Sequence, residues 1–284
     1  MQKVLLIVFT GSILLAACFS STKADEKTSQ QVDSTSAQIA KKDTIIKTKV
    51  DTLKHDPTFK KLQLKNKNPQ IAYQEKEAIV KQLILDNKID YSSMEVFFRV
   101  IKQEQILEVW AKDRTGNESF KLIKTYPLCV DKNPDTLRGI DLLVPESFYY
   151  IAKFHPDNPY FIRMEVNFPN ESDRKRGRSG GDIAVHGGCF STYCTPFTDE
   201  NIKEIYIFAA EAKANGQKYV PVHNFPFRMT DENTEKYKKD PRYANDSKRI
   251  FNWDNMKYGF QYFEKNRTLF DFTVDSKGKY LYKD

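Results

Sequence analysis

The chain has 284 residues, 40% of them hydrophobic and 13% aromatic. That content can build a core, which excludes a wholly disordered chain and allows one sizeable domain plus extensions. The formal net charge of +7 suits an anionic partner and equally suits simple solubility.

Lys3 precedes an apolar run, residues 4–17, that carries no charge. The run is too short to span a bilayer comfortably and reads as the core of a signal peptide over 1–17. It ends in Leu15-Ala16-Ala17-Cys18, and small residues before a cysteine at that position resemble the bacterial lipoprotein signal. That resemblance implies cleavage before Cys18 and lipid on its thiol and new amino group, a firm anchor because each buried methylene contributes about 0.8 kcal/mol. An exported protein seldom meets nucleic acid, so none is expected as a partner. The positive charge would then suit anionic membrane or wall polymers.

Residues 18–57 are rich in Ser, Thr, Lys, Gln and Asp, with few large apolar side chains. Such a stretch cannot offset its ordering entropy and reads as a flexible tether. The folded domain is expected over 58–284. Residues 73–87 place Ile79, Val80, Leu83 and Leu85 among charges, as in an amphipathic helix. Strands follow at 95–101, 106–112 and 119–128, with a turn at 113–117 containing Gly116. A strand pair at 161–167 and 182–186 flanks a basic loop, 173–178. Thr198 caps a helix over 199–215, with acids in its first turn and Gly216 past its end. Ile202, Ile205, Tyr206 and Ala209 form its apolar face. A strand at 218–224, helical segments to about 263 and a hairpin of 269–274 with 279–282 complete a β-rich α+β chain.

The densest chemistry lies between His186 and Asp199. A thiol needs a nearby base to become a thiolate, and imidazole is the usual one. His186 and Cys194 can meet if Gly187 and Gly188 fold the chain back, because glycine tolerates positive φ. Cys194 also lies just upstream of a helix N-terminus, whose partial positive charge would favour a thiolate if it pointed at the sulfur. By themselves, a Cys and a His this close also suit a purely structural role.

His186-Gly187, Ser191-x-x-Cys194 and Thr198-Asp199 resemble the catalytic motif of L,D-transpeptidase (YkuD-type) domains. The His-Gly-Gly-Cys opening resembles their YafK-like branch. Residues 122–126, 144–149, 167–170 with Asp173-Arg174, and 225–230 agree with it, so the resemblance runs from about Ile71 to the end of the chain. It implies a sandwich or barrel-like sheet with peripheral helices, and no metal or cofactor. It further implies acyl transfer on peptidoglycan stem peptides through a Cys194 thioester. His186 would be the base, the Gly187 carbonyl would hold the imidazole, and the Cys194 and Tyr193 amides would face the oxyanion. Ser191 and Arg228 would bind substrate. The alternatives are an amidase or peptidase cutting the wall–lipoprotein or stem-peptide linkage, and a catalytically inactive peptidoglycan-binding lipoprotein. A papain-like order, cysteine before histidine, is the reverse of this one.

The chain departs from the family pattern in places. Tyr193 replaces the glycine before the nucleophile, which costs about 1–3 kcal/mol if that position needs positive φ. Pro196 replaces an arginine, for which Arg228 could substitute as a carboxylate clamp, although a structural salt bridge suits Arg228 equally. Cys129 and Cys189 can pair in an oxidising compartment and brace the loop. Two buried thiols, or a Cys-Cys-His zinc site lacking a Cys-x-x-Cys pair, are the other options. His55 falls in the tether, His155 in an expected loop, and His223 reads as a packing residue.

Overall fold

The computed structural model describes residues 55–116, 118–129, 142–189, 191 and 193–283. The signal segment, Cys18 and the tether up to residue 54 lie outside the described residues.

Helices α1 (Pro57–Gln63) and α2 (Lys67–Asp86) lead into three antiparallel strands, β1 (Met94–Ile101), β2 (Ile106–Asp113) and β3 (Lys121–Pro127). Then come β4 (Ser147–Asn158), β5 (Phe161–Val166), the short α3 (Glu171–Lys175), β6 (Ala184–His186), β7 (Thr195–Pro196) and α4 (Asp199–Ala214). The chain ends with β8 (Pro221–Phe225), α5 (Asp231–Lys238), α6 (Ser247–Asn266) and the hairpin β9 (Asp271–Val274) and β10 (Tyr280–Lys283). Eight strands form one mixed sheet in the order β3-β2-β1-β8-β4-β5-β6-β7, and it curls into an open half-barrel with helices at its periphery. The fold is α+β, as the sequence implies.

Strand alternation divides the interior in two. On β1, Val96, Phe98 and Val100 join the core beneath α2 and α4, while Phe97 meets Phe263 of α6 and Arg99 bonds Glu264 of the same helix. Tyr73, Val80 and Ile84 of α2 recur at helical spacing and bury one stripe. Tyr73 packs edge-on against Tyr206 of α4, and its hydroxyl donates to Glu211 at 2.7 Å. α4 is capped as expected, with Thr198 Oγ1 accepting from Asn201 N at 3.2 Å. The second core forms where α6 and the terminal hairpin pack around Phe225, Phe227, Trp253, Phe260, Phe270 and Tyr280.

Three local expectations change. α2 begins at Lys67 rather than 73, since Pro69 sits in its first turn, where a missing N–H is harmless. His155 lies on β4, not in a loop, and its ring bonds Glu165 of β5 at 2.8 Å. The basic loop contains α3, because Asn170 and Asp173 form a reciprocal capping box.

Candidate functional site

His186 is the last residue of β6, held between β5 and β7 by register partners Arg163 and Pro196. Beyond it, Gly187 N donates to Ile162 O at 3.1 Å and Phe197 N donates to His186 O at 2.8 Å. The turn itself is made by Gly188 at φ +78° and Cys189 at φ +52°. Gly188 N donates to Asp199 Oδ1 at 2.8 Å, so the first turn of α4 grips this loop. Gly187 has no positive φ, yet only glycine fits there. An added Cβ would come within 2.7 Å of Asp199 Oδ1 and 2.8 Å of Tyr160 O.

Cys129 and Cys189 are joined by a disulfide across a Cα separation of 5.1 Å. It ties the segment after β3 to the turn after His186. Neighbouring amides add to the brace, with Cys129 N on Pro196 O at 2.8 Å and Cys189 N on Phe197 O at 3.1 Å.

His186 is buried, and its Nδ1 lies 2.5 Å from Gly187 O. A carbonyl only accepts, so Nδ1 carries the hydrogen and Nε2 the lone pair. Burial holds the imidazole below its ordinary pKa. The Arg163 charge pushes the same way, and the bond to Gly187 opposes both. Tyr160 covers the ring at 4.8 Å between centroids.

Cys194 is the free thiol among the described cysteines. Its Sγ donates to Asp182 O at 3.4 Å, and Arg163 donates to the same carbonyl at 2.7 Å. The Cys194 amide, expected at an oxyanion, donates to Ser191 Oγ at 2.8 Å. Tyr193 is 56% exposed, and left-handed geometry in this loop falls at Gly188 and Cys189.

His186, Ser191, Tyr193 and Cys194 share one open cleft of about 1530 Å³ with Tyr160, Arg163 and Asp182. Arg228 does not join them. It forks onto Glu104 at 2.7 and 2.9 Å and reaches Glu108 at 2.7 Å, so its guanidinium is spent on fold-internal pairs. His223 packs between Phe97 and Phe148, with ring centroids at 4.7 and 4.8 Å. Sequence reading did not single out Arg163, Asp182, Lys102 or Glu146 as cleft residues. Only the strand register could have pointed to Arg163, which stands opposite His186.

The acyl-transfer expectation, with Cys194 as an activated nucleophile, is corrected by these positions. Two of the three described cysteines are consumed in the disulfide. The remaining thiol is committed to a backbone carbonyl, and among the described residues no hydrogen bond joins it to His186. Among the described residues, no hydrogen bond from the first turn of α4 reaches the sulfur either. A thiol without a base at hydrogen-bond distance is not an activated nucleophile.

Over 177 residues the chain is 33% identical to "Putative L,D-transpeptidase YafK" of Escherichia coli, in both strain K12 and strain O157:H7. The match covers 61% of this chain and 68% of that protein. The chain belongs to the L,D-transpeptidase-like (YkuD) family. No family model matches it. Among solved structures, a Campylobacter jejuni protein described as the helical cell shape determining protein Pgp2 is similar at 20% identity, with a TM-score of 0.34. That match covers 46% of this chain and 48% of the other, so the chain spans about half of that relative. Bdellovibrio bacteriovorus Bd1075 is similar at 21% identity over 58% of this chain and 61% of its own, with a TM-score of 0.37.

Proposed function

We propose that this YkuD-family chain is a peptidoglycan-binding lipoprotein of the cell envelope. It is anchored through lipid on Cys18 and holds stem peptides in the cleft without thiol-dependent turnover. The YafK-like branch motifs and the relatives support the wall as its partner. The observation that carries the reading is the arrangement at Cys194, an accessible thiol on the cleft wall whose hydrogen bond goes to Asp182 O rather than to the imidazole. The same fold then supplies a groove that can receive an extended peptide, with the turn after His186 braced by the disulfide. His186 and Tyr160 form part of its wall.

Incubating the full chain with purified muropeptides separates binding from turnover. Calorimetry is expected to show saturable binding, while intact-mass analysis shows no acyl group on Cys194 and chromatography shows no new or trimmed muropeptide. An acyl adduct on Cys194 would overturn the binding-only reading.

A further inference from the structure

The cleft has a second region, away from the sulfur, built by a connected set of polar side chains. Lys102, at the end of β1, is buried and pairs with Glu146 at 2.7 Å. The second oxygen of Glu146 accepts from Trp253 Nε1 at 3.1 Å, and its backbone carbonyl accepts from Asn252 Nδ2 at 3.3 Å. Asn252 Oδ1 accepts from Arg176. Arg176 and Arg178 then share the fully buried carboxylate Asp173, at 3.1 and 3.4 Å. This chain of contacts draws cations from β1, the α3 loop and α6 into one wall. Arg249 in the first turn of α6 pairs with Asp246 at 3.2 Å. Lys248 and Lys277 complete the lining, exposed and without an ion pair among the described residues. The like charges of Arg249 and Arg178 bear on Lys102, which burial has already pushed below its ordinary pKa. Six cations of this wall, with Arg163 near the sulfur as a seventh, thus line the cavity against the carboxylates Glu146, Asp182 and Asp246, each of which is already engaged, while the buried Asp173 holds Arg176 and Arg178 from behind.

We infer that this wall is a carboxylate-recognition region, and that the cleft takes acidic peptides carrying more than one free carboxylate. The inference rests on the stem-peptide reading above and narrows it to stems whose side-chain carboxyls are not amidated. A volume of about 1530 Å³ exceeds the usual small-molecule pocket of about 300–1,000 Å³, which suits a peptide rather than a lone anion. Leu143, Val144, Pro145 and Phe251 line the same space, so apolar and anionic parts of one ligand find partners side by side. Guanidinium forks match the geometry of carboxylates, and the exposed lysines add point charge.

The test uses the full chain and a synthetic tripeptide, L-alanyl-γ-D-glutamyl-diaminopimelate, with its carboxyls free or amidated. The free acid is expected to bind about tenfold or more tightly than the amide, with the preference shrinking as salt rises. Lys248→Gln with Lys277→Gln should reduce that preference at least threefold while the melting temperature holds, since both side chains are exposed and without an ion pair among the described residues. Lys153→Gln, outside the cleft, should leave it intact. Equal affinity for acid and amide would overturn this inference and leave the stem-peptide reading standing. Binding of neither form would overturn both. Displacement of the peptide by inorganic phosphate as effectively as by the free acid would also overturn the assignment to peptide carboxylates.

Discussion

Replacing Cys129 and Cys189 together by serine opens the disulfide and leaves Cys194 untouched. The bond closes a loop of 60 residues, and a cross-link of that span removes about 14 cal/mol/K from the unfolded chain, or ~4 kcal/mol at 25 °C. The native loop keeps other restraints, since Cys129 N and Cys189 N still donate to Pro196 O and Phe197 O at 2.8 and 3.1 Å. The cost therefore falls on the unfolded state. Urea unfolding followed by tryptophan fluorescence should show it. With a slope of about 2–3 kcal/mol/M, the midpoint should drop by roughly 1.5–2 M. Near-UV circular dichroism and stem-peptide affinity should be unchanged under native conditions. An unchanged midpoint would refute the assignment of loop-closure stabilisation to this bond. A lost near-UV signal or lost affinity would refute the claim that the backbone bonds suffice to hold the loop.

Gly187→Ala should destabilise by about 2 kcal/mol, lowering the melting temperature by ~4–8 °C, because its Cβ has no space between Asp199 and Tyr160. A wild-type melting curve would contradict that packing. His223 is lowered to about 3 by burial and by Arg99, below its ordinary 6.5. Its neutral ring therefore contributes stability that is complete above pH 6.5 and lost as pH falls toward 3, at about 1.4 kcal/mol per pH unit. His223→Phe should remove one proton's worth of slope from stability measured between pH 6 and 4, and an identical slope would be the contrary result. Arg228→Ala should leave stem-peptide affinity unchanged and cost only about 1 kcal/mol of stability, since solvent screens its pair with Glu104 and the buried Glu108 keeps Arg99 as a partner. A large affinity loss would return Arg228 to the cleft. Arg99→Leu should cost about 3–5 kcal/mol, because Glu108 is buried against it at 2.6 Å, and chemical denaturation checks this.

The sequence by itself determined what depends on local chemistry. Thr198 with acids behind it writes a helix start, the alternation in β1 writes a strand, and His186-Gly187-Gly188 writes a turn, since each signal acts over a few residues. The motif also located one wall of the cleft, because His186, Ser191, Tyr193 and Cys194 lie close in the chain. β4 escaped the sequence reading. It carries Pro156, and its first half is buried on both faces, so no clean alternation marks it.

The tertiary structure alone decided what lies opposite that wall. Lys102, Glu146, Asp173 and Asn252 come from four distant segments, and only sheet order and helix packing bring them together. The state of the thiol was likewise not written locally. Whether Cys194 meets an imidazole or a carbonyl depends on where the segment before β6 runs, and that segment places Asp182 O at the sulfur. Residue types set which hydrogen bonds a side chain can make, whereas the partner that fills them is chosen by the path of the whole chain.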